Sequence, residues 1–141
     1  MTQQIYLGTL YIIRGCSGSG KSTFSKELAE VTGGIRYEAD MYMYDEDGHY
    51  DWQAGKLKAA HRWVYEGIRG CMINAKGPLI IADTNVKIRD LQLYLDLAAE
   101  YNYRVISLVL ENRHGNKSIH DVPDKTMRRQ ESALRQSLKL V

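Results

Sequence analysis

Residues Gly15, Cys16, Ser17, Gly18, Ser19, Gly20, Lys21, Ser22 and Thr23 complete the pattern G-x-x-x-x-G-K-[ST], directly after the apolar run 10–13 and directly before a helix-like stretch. A strand, a glycine-rich turn and a helix in that order make a phosphate-binding P-loop. The glycines let the backbone aim several N–H groups at one set of phosphate oxygens, and the following helix adds its positive N-terminal end. Lys21 would meet the β- and γ-phosphates of a nucleoside triphosphate such as ATP, and Ser22 the Mg²⁺ that accompanies it. The competing reading, a glycine-rich turn with no ligand, needs the whole pattern to arise by chance between a strand and a helix.

The rest of the chain repeats the strand and helix alternation. Residues 5–7 and 10–13 are β-rich and separated by Gly8-Thr9, so the first strand either begins early with a bulge or follows a small hairpin arm. From Lys21, Phe24, Leu28 and Val31 recur at helical spacing until Gly33-Gly34. A short strand is expected over 35–39 and an exposed loop over 40–51, which carries Asp45-Glu46-Asp47-Gly48. Leu57, Ala60, His61, Val64, Ile68, Cys71 and Met72 form one stripe of a long helix between Trp52 and Asn74. Residues 79–82 read as a strand covered on both faces, 88–101 as a helix, 104–110 as a fourth strand and 124–140 as a last helix with Pro123 at its start. The implied architecture is α/β: a P-loop NTPase three-layer fold, a short and mainly parallel sheet of about four strands with helices on both sides, in one domain over 1–141.

Composition excludes several alternatives. Nineteen basic and seventeen acidic residues leave a formal charge of +2, too little for a strong nucleic-acid footprint by charge alone. Cys16 and Cys71 lie far apart, so neither a disulfide framework nor a metal cluster is suggested and a reducing, cytoplasmic setting fits. No apolar run approaches the length needed to span a bilayer, and no leader pattern opens the chain, so a soluble protein without a membrane partner is expected.

In a parallel sheet ligands sit at the strand C-termini, so three polar groups should converge: the P-loop, Asp40, and Asp83-Thr84-Asn85. Asp40 is the candidate general base for an acceptor hydroxyl; its bland reading is a helix-capping or turn aspartate. Asp83 closes a buried strand, where a carboxylate must be paired or hydrogen-bonded, and so stands as a Walker B-type residue that Lys21 or Mg²⁺ would satisfy. Thr84 and Asn85 would orient Asp83 or touch the acceptor, or else form an Asx-type turn. Residues 111–122 make the one long polar stretch between elements, a candidate lid carrying Arg113, His114, Lys117 and His120. Arg113 is the first choice for the cation that closes on the phosphates. His61 reads as a core or substrate-wall histidine rather than a ligand.

With these residues in view, the chain resembles the polynucleotide 5′-hydroxyl kinase group of P-loop kinases, which includes phage polynucleotide kinase and related stand-alone kinase modules. The likeness covers nearly the whole chain. It rests on Ile12-Ile13-Arg14-Gly15 leading into the P-loop, Asp40 followed by Tyr42, Ala60-His61-Arg62-Trp63, Ile80-Ile81-Ala82-Asp83-Thr84-Asn85, Tyr101-Asn102-Tyr103-Arg104-Val105, and Arg113-His114-Gly115 with Val122-Pro123. The resemblance implies Mg²⁺-dependent transfer of the ATP γ-phosphate to a 5′-hydroxyl of DNA or RNA. It gives Asp40 the catalytic role and places Tyr42 beside the acceptor. In phage polynucleotide kinase an arginine lies three residues beyond the catalytic aspartate and holds the acceptor phosphate, whereas this chain has Met43. A thioether cannot form a bidentate phosphate clamp. Arg36, Lys56, Lys58 and Arg62 are candidates for backbone contacts, and Tyr42, Tyr44, Tyr50 and Trp52 would either stack on a terminal base or pack the loop. Two other readings stay open: a kinase for a small nucleoside-like or modified-base hydroxyl, and a regulatory nucleotide-binding ATPase.

Overall fold

The computed structural model describes residues 4–83, 87–115 and 122–141. Four strands, β1 (Gly8–Arg14), β2 (Ile35–Tyr37), β3 (Leu79–Ile81) and β4 (Tyr103–Val109), form one sheet in the order β2-β3-β1-β4. Every pairing is parallel, with Leu10 opposite Leu79 and Val105, and Tyr37 opposite Ile81. The helices are α1 (Lys21–Thr32), α2 (Leu57–Ile73), α3 (Ile88–Tyr101) and α4 (Asp124–Ser137).

Side-chain alternation along the strands sorts the two layers. Leu10, Ile12, Leu79 and Ile81 face one way and pack with Ala60, Val64, Ile68 and Met72 of α2 and Leu91, Tyr94, Leu97 and Ala98 of α3. Ile13, Ile80 and Ala82 face the other way, toward Phe24, Leu28 and Ala29 of α1. The α2/α3 layer is the thicker one. The four buried α2 side chains recur at a spacing of four, so one stripe of that helix is wholly removed from water and drives its docking.

Four details differ from the sequence expectation. Residues 5–7 are neither an early start of β1 nor a hairpin arm: β1 begins at Gly8, Ile5 and Leu7 are exposed, and the segment is held by Leu7 N donating to Asn102 O and Asn102 Nδ2 donating to Ile5 O. β4 starts only at Tyr103, so these residues have no ladder to extend. Val31 is 86% exposed, because the α1 layer is narrow and its apolar contacts end at Ala29. The region 40–51 is not merely an exposed loop. A 3₁₀ turn at Ala39–Met43 buries Ala39 and Met43 in the core, and Tyr44 and Tyr50 then bridge across a turn in which Asp45 Oδ1 accepts the N–H groups of Asp47 and His49. Finally, α2 starts at Leu57, preceded by a 3₁₀ turn at Ala54–Lys56, and Leu57 is exposed. Among the described residues, no helix is long and apolar enough to cross a membrane.

Candidate active site

The P-loop lies between the end of β1 and the start of α1, and its shape depends on glycine at two points. Gly20 sits at φ 96°, the left-handed region, immediately before the first residue of α1. At Gly15 a Cβ would lie 2.5 Å from Ser19 Oγ and 3.0 Å from Leu110 O, so the strand exit has no room for a side chain. The Ser19 hydroxyl is buried within this loop without a hydrogen-bond partner. A buried polar atom of that kind marks a site shaped for something polar. Lys21 Nζ donates to Cys16 O at 3.1 Å, laying the ammonium across its own loop. Gln130 of α4 accepts the N–H of Ser17 at 2.9 Å and so ties the last helix to the loop.

Three carboxylates gather around that ammonium. Burial pushes Lys21 below its usual value, while Asp83, Cys16, Glu38 and Asp40 pull it back up. Asp83, at the end of β3, is buried; burial raises its carboxyl to about 6, against the Ala39 N–H it accepts at 2.7 Å and the nearby His61, whose Nδ1 lies 3.9 Å from Asp83 Oδ2. Asp40, in the 3₁₀ turn, accepts the Tyr50 hydroxyl at 3.2 Å. Burial and the charge of Asp40 push the Tyr50 phenol up to about 12, so it stays a donor. Glu38, between β2 and the turn, accepts the Ser22 hydroxyl at 2.8 Å and pairs with Arg36.

The structure thus brings together Lys21, Ser22, Asp40 and Asp83. His61 is half-exposed on α2 and belongs to the wall of this site rather than to the core. Tyr42 is partly exposed and leans on Trp63, ring centroids 6.0 Å apart, with Tyr37 edge-on to the same indole at 5.1 Å. Arg113 is turned to solvent, 86% exposed, and pairs with Glu111; from the described part of this stretch it is His114 that reaches the P-loop, its Nε2 lying 3.3 Å from Ser19 O. Thr84, Asn85, Lys117 and His120 lie outside the described residues. Arg36 is paired with Glu38, and Met43, at 1% exposure, is a core residue.

Sequence reasoning missed Glu38 and Gln130. Glu38 was within reach, since it follows β2 at the same C-terminal edge as the P-loop and Asp83. Gln130 gave no signal, because polar residues on an exposed helix face are commonplace.

Hard oxygen donors dominate this cluster: a serine hydroxyl and three carboxylates around a P-loop. That donor set suits Mg²⁺ with a phosphate ligand. Ser22 and Asp83 would hold it, directly or through water.

Strand order, P-loop and carboxylate edge together define a P-loop kinase fold. A family model described as an AAA domain (AAA_33) matches residues 10–136, and the chain belongs to that family. It is 30% identical over 103 residues to human NEDD4-binding protein 2, a match covering 72% of this chain and 6% of that much longer protein. Among solved structures, a chain of the Pnkp1/Rnl/Hen1 RNA repair complex superposes with a TM-score of 0.73 at 19% identity, covering 96% of this chain and 47% of that one. A sugar kinase from Janibacter sp. HTCC2649 gives 0.62 at 19% identity, covering 94% and 80%. At those identities the superpositions establish the fold.

Proposed function

We propose that the protein is an ATP-dependent kinase that transfers the γ-phosphate to a 5′-hydroxyl of a polynucleotide or oligonucleotide. The observation that supports this most directly is the placing of a carboxylate outside the phosphate cradle. Asp40 is on a turn of its own, held by Tyr50, and shares its surroundings with Lys21. A nucleotide switch needs no such group; a hydroxyl acceptor does.

In this reading, backbone N–H groups of residues 18–22 and the Lys21 ammonium hold the triphosphate. Lys21 leaves Cys16 O to meet the β- and γ-phosphates, a short swing of a flexible side chain. Bound Mg²⁺ would neutralise charge on the phosphates. Asp40 takes the acceptor's proton as the acceptor oxygen bonds to the γ-phosphorus; the bond from that phosphorus to the bridging oxygen breaks, and ADP leaves with the electron pair. Asp83 is oriented by the Ala39 N–H, which belongs to the same turn as Asp40, so one hydrogen bond ties the two carboxylates' supports together. Tyr42 on Trp63, with Tyr44 and Trp52, offers exposed aromatic faces to the terminal bases.

One observation favours a second acceptor class. Met43 occupies the position of the phosphate-holding arginine and is buried, and Arg36 is engaged by Glu38. A small nucleoside-like or modified-base alcohol needs no such clamp.

The test is incubation with γ-labelled ATP, Mg²⁺ and three acceptors: a 5′-hydroxyl oligonucleotide, its 5′-phosphorylated twin and free nucleosides. Label on the first alone, with a rate that falls steeply with salt, is the expected result. Label on nucleosides alone supports the small-acceptor reading, and label on none sinks the kinase.

A further inference from the structure

Glu38 is the carboxylate at this edge to which phosphoryl transfer as described gives no task. It is 5% exposed, and a carboxylate so enclosed is costly unless both oxygens are satisfied. The two oxygens are divided: Oε1 accepts the Ser22 hydroxyl at 2.8 Å and Oε2 pairs with Arg36 Nη1. Ser22 is the second residue of α1 and is exposed, so its hydroxyl would otherwise rotate among water partners.

We propose that Glu38 is the positioning residue for Ser22: by accepting the hydroxyl's only proton, it turns the oxygen's lone pairs toward the cation that accompanies the nucleotide. Arg36 fixes the carboxylate for that purpose. A serine hydroxyl has one proton and two lone pairs, and a proton aimed at the cation would repel it. A carboxylate acceptor removes that orientation more firmly than a carbonyl or water, because a hydrogen bond to a charged acceptor is stronger. The alternative is that Arg36 and Glu38 merely close β2 as an ion pair. The two differ in what Ser22 loses when Glu38 is changed. The inference rests on the proposed Mg²⁺-nucleotide reading.

The test is calorimetric binding of a non-hydrolysable ATP analogue to the full chain, once with Mg²⁺ and once with EDTA. The ratio of the two affinities is the metal's gain. It should shrink by about tenfold or more in Ser22→Ala and equally in Glu38→Ala, the scale of one charge-assisted hydrogen bond. In Ser22→Ala/Glu38→Ala it should be no smaller than in Ser22→Ala alone, since Glu38 acts through that hydroxyl. Glu38→Gln keeps the volume and guards against a variant that fails to fold. Its single oxygen goes to Arg36, its amide then donates into the Ser22 lone pair, and its gain should fall as in Glu38→Ala.

A gain left intact in both Glu38 variants overturns the inference, as do penalties that multiply in the double variant. A gain unchanged in Ser22→Ala overturns it too, while leaving nucleotide binding in place. A wild-type protein that binds no nucleotide overturns both this inference and the kinase reading.

Discussion

In the proposed reaction, the donor and acceptor sides of the site are held by different parts of the chain. On the donor side the phosphate cradle is main chain, shaped by Gly15 and Gly20 between β1 and α1, with Lys21 as its one charged arm. On the acceptor side the structure is a 3₁₀ turn, a tyrosine bridge and one face of α2, and the contacts are between side chains: Tyr50 on Asp40, His61 near Asp83, Tyr42 on Trp63. A backbone cradle tolerates most substitutions that keep its glycines, whereas a side-chain wall changes its ligand with every substitution. One fold can therefore keep its donor and exchange its acceptor.

The sharpest way to break that division is Asp40→Asn. If Asp40 serves only the acceptor, nucleotide affinity stays within about twofold by calorimetry while turnover falls by about 10²–10⁴, the range of a general base. A matching loss of nucleotide affinity would place Asp40 on the donor side and void the comparison.

The difference between the two sides also explains what could be read from sequence. The donor side is a local motif, so nine consecutive residues carried it. The helices 21–32 and 88–101 followed from apolar residues at helical spacing, and the strand at 79–81 from a short continuous apolar run that the sheet buries on both faces. The acceptor side depends on contacts distant in sequence, such as Ala39 N–H on Asp83 and Tyr37 against Trp63. Neither has a spacing signature. Met43 looked exposed amid Tyr42, Tyr44 and the acidic run that follows, yet the 3₁₀ turn swings it into the core. Arg36 looked like a phosphate contact because the partner that claims it, Glu38, had no assigned place. Asp40 and Asp83 were legible for a simpler reason: charged residues just beyond the C-terminal ends of neighbouring parallel strands come to one edge of the sheet.

Asp83 lies where the two sides join, and its titration sharpens how much the join costs the empty protein. Its folded carboxyl is raised from 3.8 to about 6, so the unfolded chain releases that proton first as pH rises. Its contribution to stability is therefore fully present below the unfolded value and is lost as pH climbs through about 6. Across that interval the loss is on the order of 3 kcal/mol. In urea unfolding without nucleotide or metal, Asp83→Asn should gain stability relative to wild type between pH 4 and pH 7, because an amide does not ionise. A difference that stays flat with pH would mean that Asp83 is paired as well in the folded chain as it is hydrated in the unfolded one.

The smallest expected effect separates the acceptor classes themselves. Tyr42 is partly exposed and lies against Trp63, so Tyr42→Ala would remove one face of a stacking surface while leaving the indole packed edge-on with Tyr37. Stacking of one base on an aromatic ring contributes about 1–3 kcal/mol, so KM for an oligonucleotide acceptor should rise about fivefold or more, with kcat and the KM for ATP little changed. A short 5′-hydroxyl acceptor without a base, such as an abasic sugar phosphate, should be indifferent to the substitution. If both acceptors lose equally, Tyr42 supports the 3₁₀ turn rather than the ligand, and the aromatic wall is packing around Asp40. The two acceptors thus divide a recognition surface from a structural one.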